Sequence, residues 1–388
     1  MEGETGLPES GSTGSLRQVM MEHIRRKTVR QLIRNTAALV CAVTVMLTIY
    51  PGAAYTASAQ QTGSVAQTPV TLGFAGDINL SEDWCSTQYL NTCPNGIADC
   101  ISPDITALTN GCSLFMLNNE FTYSKRGTPL PGKAYTFRAD PSRVGIVKQL
   151  GTDVVLMANN HVYDYGKDAF LDTLDTLKGA GIPYTGAGRS LNEAETPVYF
   201  NVNGVRIAYV AASRAEKNIM TPEAGTDSPG ILRTYDETKY LDVIRNAKAN
   251  ADYVVASVHW GTEYSNKADR LQKKLAREFI DAGADAVIGT HPHVLQGMEY
   301  YKGRPIMYSL GNFWFNEKTL YTCVLVITVA RGPDGGAALS QVQFVPCIQK
   351  GFRTYSPQDA AERQKIIDFE KNISFGVDID KNGMVTAK

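Results

Sequence analysis

The sequence predicts an α/β protein built from two packed, mixed β-sheets with helices on their outer faces. Three observations carry that expectation. From Val70 onward, short apolar runs of strand length alternate with segments of helical spacing. Asn203-Gly204 joins two strands as a tight hairpin, so at least one sheet is not purely parallel. Finally, five apolar runs each end in a small polar cluster: VTLGFAGD (70–77), CSLFMLNNE (112–120), DVVLMANNH (153–161), YVVASVHW (253–260) and DAVIGTHPH (285–293). These clusters hold four of the five histidines.

Taken in order, the first strand covers 70–76 and leads into a Cys-rich loop. A short helix at 103–110 precedes a strand at 112–117, and the Gly-, Pro- and Tyr-rich stretch 121–140 reads as a loop. A helix at 141–150 and a strand at 153–157 follow. From Asp168 to Ala180, Phe170, Leu171, Leu174 and Leu177 recur at helical spacing until Gly181 ends the helix. Two strands fill 197–211. Helices at 236–249 and 267–282 flank a strand at 253–258, and strands at 286–289, 305–310 and 322–330 come next. A helix at 358–371 and a short strand close the chain. Asp378-Ile379-Asp380-Lys381-Asn382-Gly383 imitates the start of a calcium loop, but the closing Glu would fall beyond the last residue, so a turn at Asn382-Gly383 is the expectation.

The 388 residues carry a formal net charge of −1, which argues against a nucleic-acid partner, because neutralising phosphates needs a basic surface. Residues 1–35 form a basic tail. Within it Arg25, Arg26, Lys27, Arg30 and Arg34 precede an uncharged apolar stretch, and Ala57-Ser58-Ala59 supplies a small-residue cleavage site. Segment 36–59 therefore reads either as a signal peptide cleaved after Ala59 or as an uncleaved membrane anchor. Both place the rest of the chain outside the cytoplasm, because basic residues stay inside. Residues 60–69 are a polar linker, and 70–388 are the folded domain. Beyond Cys41 in the leader, six cysteines remain. In an exported chain they are expected to form two disulfides within 85–112 and a third between Cys323 and Cys347.

In α/β sheets, ligands bind at the carboxyl ends of strands. The strand-end residues Asp77, Glu120, Asn160, His259, His291 and His293 are thus expected to converge. Carboxylate, amide and imidazole without thiolate is a donor set for a hydrolytic metal centre. One or two divalent ions are expected, with Mn, Zn or Fe preferred to Mg because imidazole dominates the set. A carboxylate such as Glu120 is needed to bridge a pair. His161 is expected to act as acid or base, with Asp164 holding its tautomer. Asn79, Asn118, Glu263 and Asn312 border the same strand ends. With the cations Lys133 and Arg138, they are the residues expected to face substrate.

The segments GFAGDINL, NNEF, YTFRADP, ANNHVYDYG, GIPYTGAG, VHWGTEY, GADAVIGTHPHVLQG and YSLGNFWF, in this order and spacing, resemble the CapA family of poly-gamma-glutamate capsule biosynthesis proteins, within the calcineurin-like metallophosphatase superfamily. The resemblance covers about 70–315 and implies a four-layer α/β/β/α sandwich. It also implies roles: Asp77 and His293 on a first metal, Glu120 as the bridge, Asn160, His259 and His291 on a second, and His161 protonating the leaving oxygen. Two positions depart from the superfamily's phosphoesterases. Asn79 stands where those enzymes carry histidine, and the bridging acid is Glu120 in Asn-Asn-Glu rather than an Asp. The implied partners are an anionic capsule polymer or phosphoester-type substrate, together with membrane proteins of capsule synthesis and export. The alternative is a non-catalytic polymer-binding or assembly protein that keeps the fold and at most one structural metal.

Overall fold

The computed structural model describes residues 68–216, 220–332 and 335–388. The basic tail, the leader with Cys41, and the linker up to residue 67 lie outside the described residues. Among the described residues, no helix is long and apolar enough to cross a membrane.

The chain enters an eight-stranded sheet with β1 (Val70–Ile78), β2 (Leu114–Asn119), β3 (Val154–Leu156) and β4 (Tyr184–Thr185). It then builds a six-stranded sheet from β5 (Val198–Val202), β6 (Val205–Ser213), β7 (Tyr253–His259), β8 (Ala286–Thr290), β9 (Leu295–Tyr301) and β10 (Arg304–Leu310). It returns to the first sheet with β11 (Asn312–Trp314), β12 (Leu320–Arg331), β13 (Ala337–Lys350) and β14 (Arg353–Tyr355). The first sheet runs β14-β13-β12-β1-β2-β3-β4, with β11 also paired to β1; the second runs β9-β10-β8-β7-β6-β5. β1, β2, β3 and β4 are parallel, as are β6, β7, β8 and β10. The β5–β6 hairpin at Asn203-Gly204 and the β12–β13 pair are antiparallel.

Strand alternation explains the layering. Leu72, Phe74, Leu114 and Met116 of the first sheet share one core with Ile207, Tyr209, Tyr253, Val255 and Ile288 of the second, so the two sheets face each other. The intervening residues point outward. Phe115, Leu117 and Val155 pack under helices α1 (Pro103–Gly111), α2 (Val144–Gln149) and α3 (Gly166–Gly179), through Ile105, Val147, Phe170, Leu174 and Leu177. On the far side, Val210, Val254, Ala256 and Val287 lie under α4 (Thr238–Ala249) and α5 (Arg270–Asp281), through Tyr240, Ile244, Leu275 and Phe279. Helix α6 (Ala360–Ile373) contributes Ile366 and Ile367 to the core between the sheets. The result is the four-layer α/β/β/α sandwich.

Two glycines permit backbone approaches on which the strand ends depend. A Cβ on Gly76 would stand 1.7 Å from the Gly311 carbonyl oxygen, and one on Gly289 would stand 2.0 Å from that of Tyr308. The first approach lets Asp77 N–H donate to Gly311 at 3.1 Å, which locks the end of β1 beside β11. Gly76→Ala is expected to destabilise the chain by about 3 kcal/mol through backbone displacement, measured as a lower midpoint in urea unfolding.

The cysteine expectation is corrected. All six described cysteines are free thiols. Across the β12–β13 ladder Cys323 faces Pro346 and Cys347 faces Thr322, one register step apart, so their side chains leave opposite faces of the sheet. Cys323 joins the core between the sheets and Cys347 the outer one. Within 85–112 the closest approach is Cys93 to Cys100, at 3.8 Å between sulfurs, longer than the ~2.05 Å of a disulfide. The apparent calcium loop is a turn: Asp380 accepts from the backbone N–H groups of Asn382 and Met384, both at 2.8 Å.

Candidate metal centre

Register brings the centre together. At the end of β1, Asp77 is paired with Asn118 of β2 on one side and with Asn312 of β11 on the other. In-register neighbours on a sheet share a face, so the three side chains stand abreast. In the second sheet His259 is opposite Thr290. The turn after β8 brings His291 and His293 in, and the loop after β3 brings Asn160 and His161. His291 (φ 96°) and His293 (φ 60°) both adopt left-handed backbone, which costs a residue with a side chain about 1–3 kcal/mol. The surrounding structure holds them there, with Tyr264 N–H donating to the Pro292 carbonyl at 2.8 Å. Asp77, Glu120 and His259 are wholly buried, whereas Asn160, His161, His291 and His293 keep 5–7% exposure.

Two ligand sets share one acid: Glu120, His259 and His291 form one, and Asp77, Glu120 and His293 the other, with ligand atoms within 4.8 Å of each other in each set. In the first, His259 Nε2 lies 2.7 Å from Asn160 Oδ1 and 3.1 Å from His291 Nδ1. In the second, His293 Nδ1 lies 3.1 Å from Asp77 Oδ2. Glu120 Oε1 is buried without a hydrogen-bond partner, yet three imidazole Nε2 atoms surround it, of His259 at 3.5 Å, His293 at 3.9 Å and His161 at 4.0 Å. A buried acceptor left unmatched costs about 1–3 kcal/mol. Donor atoms sharing one cation at metal–ligand lengths of about 2.0–2.2 Å sit roughly 3–3.5 Å apart. The residues therefore fit divalent cations on either side of Glu120.

The protonation balance agrees. Burial, reinforced by the Asp77 charge, pushes the Glu120 carboxyl well above the usual range. Burial also depresses His259 and His291, aided by neighbouring imidazoles, which keeps both in the neutral, ligating form. For His293 burial acts downward, but the Glu120 charge and the Asp77 hydrogen bond override it and push the group up to about 9.

His161 presents its other face to an anchor. Its Nδ1 is 2.7 Å from Asp164 Oδ2, and its backbone N–H donates to Asn159 Oδ1 at 3.0 Å. The Phe137 ring packs 4.4 Å from the His161 ring, and Phe315 packs 4.6 Å from His293.

Of the six residues expected to face substrate, five have hydrogen-bond, ion-pair or ring partners within the protein, and Glu263 is exposed near the centre. Asn118 is buried behind the carboxylates; its amide donates to Asp77 Oδ1 at 2.7 Å and Glu120 Oε2 at 3.2 Å, and so orients them. Asn312 Oδ1 lies 2.9 Å from His293 Nδ1. Asn79 is buried, with its side-chain oxygen taken by Ser81 N–H at 2.8 Å. Lys133 is no open cation: it pairs with Asp164 at 2.7 Å and Glu216 at 2.9 Å. Arg138 stacks 4.1 Å over the Tyr165 ring and donates to the Arg126 and Gly127 carbonyls. Glu263 is exposed beside Tyr264, whose ring lies 5.9 Å from His293.

Sequence reasoning missed several contributors. Thr290 Oγ1 anchors His259 Nδ1 at 2.9 Å, and Asn159 ties Asn118 to the loop after β3 at 2.9 Å. An exposed cation at this rim is Lys318, 3.8 Å over the Tyr264 ring. Thr290 and Asn159 sit inside the motifs that carry the ligands, so their adjacency was a usable signal; Lys318 had none.

Comparison with known proteins adds the family. The chain is 38% identical over 217 residues to the capsule biosynthesis protein CapA of Bacillus anthracis, covering 55% of this chain and 52% of that one. It is 38% identical over 200 residues to the PGA biosynthesis protein CapA of Bacillus subtilis (strain 168), covering 51% and 52%. The chain thus spans about half the length of the curated relatives it matches. Among solved structures, the NAD nucleotidase of Haemophilus influenzae aligns with a TM-score of 0.44 at 14% identity, covering 79% of this chain and 63% of that one. The sequence pattern of the bacterial capsule synthesis protein PGA_cap family matches residues 71–317, which contain every strand end of the centre, and the chain belongs to that family.

Proposed function

We propose that this chain is an extracytoplasmic, divalent-metal-dependent hydrolase-type protein of capsule biosynthesis, acting on an anionic polymer of the poly-gamma-glutamate class or on a phosphoester-type substrate. One observation carries the hydrolase part: Glu120, shared by two ligand sets, has a wholly buried carboxylate oxygen, Oε1, without a hydrogen-bond partner amid three imidazoles. The capsule part is supported by family membership and by what the relatives are named for. The extracytoplasmic part is supported by the order of charged, apolar and small residues at the N-terminus. Membrane proteins of capsule synthesis and export are the expected partners.

In this reading Asp77 and His293 would hold one ion and Asn160, His259 and His291 the other, with Glu120 belonging to both sets. The imidazole-rich set favours Mn, Zn or Fe over Mg. When bound, the ions supply Lewis acidity and make water nucleophilic at neutral pH. The chain's own residues do the rest. Asn118 and Asn312 orient the ligands. Phe137 and Phe315 keep water from the flanks of His161 and His293. Asp164 accepts from His161 Nδ1, so the ring would act as acid in its doubly protonated form, giving the second proton from Nε2, on the side of Glu120, to the leaving atom.

A second reading draws on Asn79. With no imidazole there, the Asp77 side has fewer donors than the Asn160 side, which suits an assembly protein with one structural ion. Elemental analysis of the exported chain discriminates. About two transition-metal ions per chain, followed by turnover in a screen of phosphoesters and gamma-glutamyl amides, is the expected result. One ion or none would sink the two-metal reading and favour the assembly role.

A further inference from the structure

Lys133 lies in the loop after β2, far in sequence from every ligand of the centre except through the fold. Its side chain is 8% exposed, and its ammonium meets three acceptors: Asp164 Oδ1 at 2.7 Å, Glu216 Oε1 at 2.9 Å and the main-chain carbonyl of Asn160. Two of the three donors of the ammonium are taken by Glu216 and the Asn160 carbonyl, and Asp164 is held as an ion pair. The far side of the network is closed too. Arg233 pairs with Glu216 at 3.2 Å, Glu216 accepts from Thr221 N–H at 3.0 Å, and Thr221 Oγ1 donates to the same Asn160 carbonyl at 2.9 Å. Two cations thus face two carboxylates, and the charge is balanced within the buried cluster.

We propose that Lys133 is a positioning residue of the metal centre: one buried ammonium fixes both Asp164, which holds His161, and the Asn160 backbone, whose side chain faces His259. The same loop reinforces both contacts. Phe137 N–H donates to Asp164 Oδ2 at 2.7 Å, Leu130 N–H donates to the Asp164 carbonyl at 2.8 Å, and the Phe137 ring lies against His161. The loop over 130–137 is therefore a clamp on the loop 158–164, and Lys133 is its charged pin. This inference rests on the hydrolase reading for the role of His161, and on geometry alone for the placement of Asn160.

The test uses the full chain, Mn²⁺ and bis(p-nitrophenyl) phosphate. Lys133→Met is expected to weaken one of two Mn²⁺ sites by about 10–100-fold in a binding isotherm, leaving the other within about threefold. It is also expected to lower kcat by a similar factor with KM nearly unchanged. In a His161→Asn background, Lys133→Met is expected to cause no further loss of kcat, because residues acting as a unit are not additive. Lys133→Gln, which keeps a donor toward the Asn160 carbonyl, is made in parallel, and thermal melts confirm that the variant measured is folded. A folded variant with an unchanged isotherm overturns the proposal. So does a raised KM with kcat intact, which would return Lys133 to substrate binding. Absence of turnover by the wild-type chain of both this phosphodiester and gamma-glutamyl amides would instead overturn the hydrolase reading, and the isotherm would still decide the role of Lys133.

Discussion

Glu120→Ala is expected to leave the chain without either metal ion, and metal content measured after dialysis should fall from about two per chain to near zero. Asp77→Asn should lose one ion only. The difference follows from sharing: Glu120 belongs to both ligand sets and Asp77 to one. The same residue should reverse its effect when the metal is removed. Glu120 is a buried carboxyl with one oxygen unmatched, and such a group destabilises the fold that contains it. Metal-free Glu120→Gln should therefore melt higher than the metal-free wild type, while the metal-loaded forms should rank the other way. A Glu120→Gln chain that retained both ions and lost no stability on loading would show that the acid is only structural.

The pH dependence has opposite signs in the two states. In the metal-free chain, Glu120 and His293 both bind protons more tightly folded than unfolded. Stability from His293 is present below its ordinary value near 6.5 and is lost as pH rises through about 9. Metal binding needs those protons gone, so Mn²⁺ affinity should rise over the same interval and each binding event should release protons. Calorimetry in two buffers of different ionisation enthalpy measures that release directly.

What can be read from the sequence depends on where the information lies. Asp77, Glu120, His259, His291 and His293 each stand at or just beyond an apolar strand, so one rule about strand ends locates them. The sheets pair in register, and the rule therefore also places them near one another. Strands β9 and β13 are hidden in the sequence because LQGMEYY and AALSQVQFVPCIQK mix polar and apolar residues without a clean run; tertiary pairing makes them strands. Asn118 and Asn312 read as substrate-facing because the polar type is visible in the sequence and the direction is not. Asn118 meets Asp77 and Glu120, and Asn312 meets His293, since the strand neighbour of each is Asp77. The role of Lys133 is not legible at all: its partners Asp164 and Glu216 are distant in sequence, and only folding reveals that its charge is already matched. The Cys323–Cys347 expectation fails on one step of register, which a spacing argument cannot see.

His161→Asn should separate chemistry from assembly. The imidazole is anchored through Nδ1 to Asp164, and its Nε2 lies 4.0 Å from Glu120 Oε1, outside both three-residue ligand sets. Asparagine is expected to leave metal content and melting temperature close to wild type while lowering kcat by about 10²–10⁴-fold, the span that general-acid catalysis usually contributes. Asp164→Asn should lower kcat as well, because the tautomer of His161 is then no longer specified. If the chain works by turnover, cells carrying His161→Asn will lose capsule even though the protein is folded, exported and metal-loaded. If it works by holding polymer or partners, the same cells will keep their capsule, and Glu120→Ala will be the variant that removes it. The two substitutions differ in one physical respect, whether the ions remain, so capsule measured in both strains distinguishes a metal that reacts from a metal that only shapes a surface.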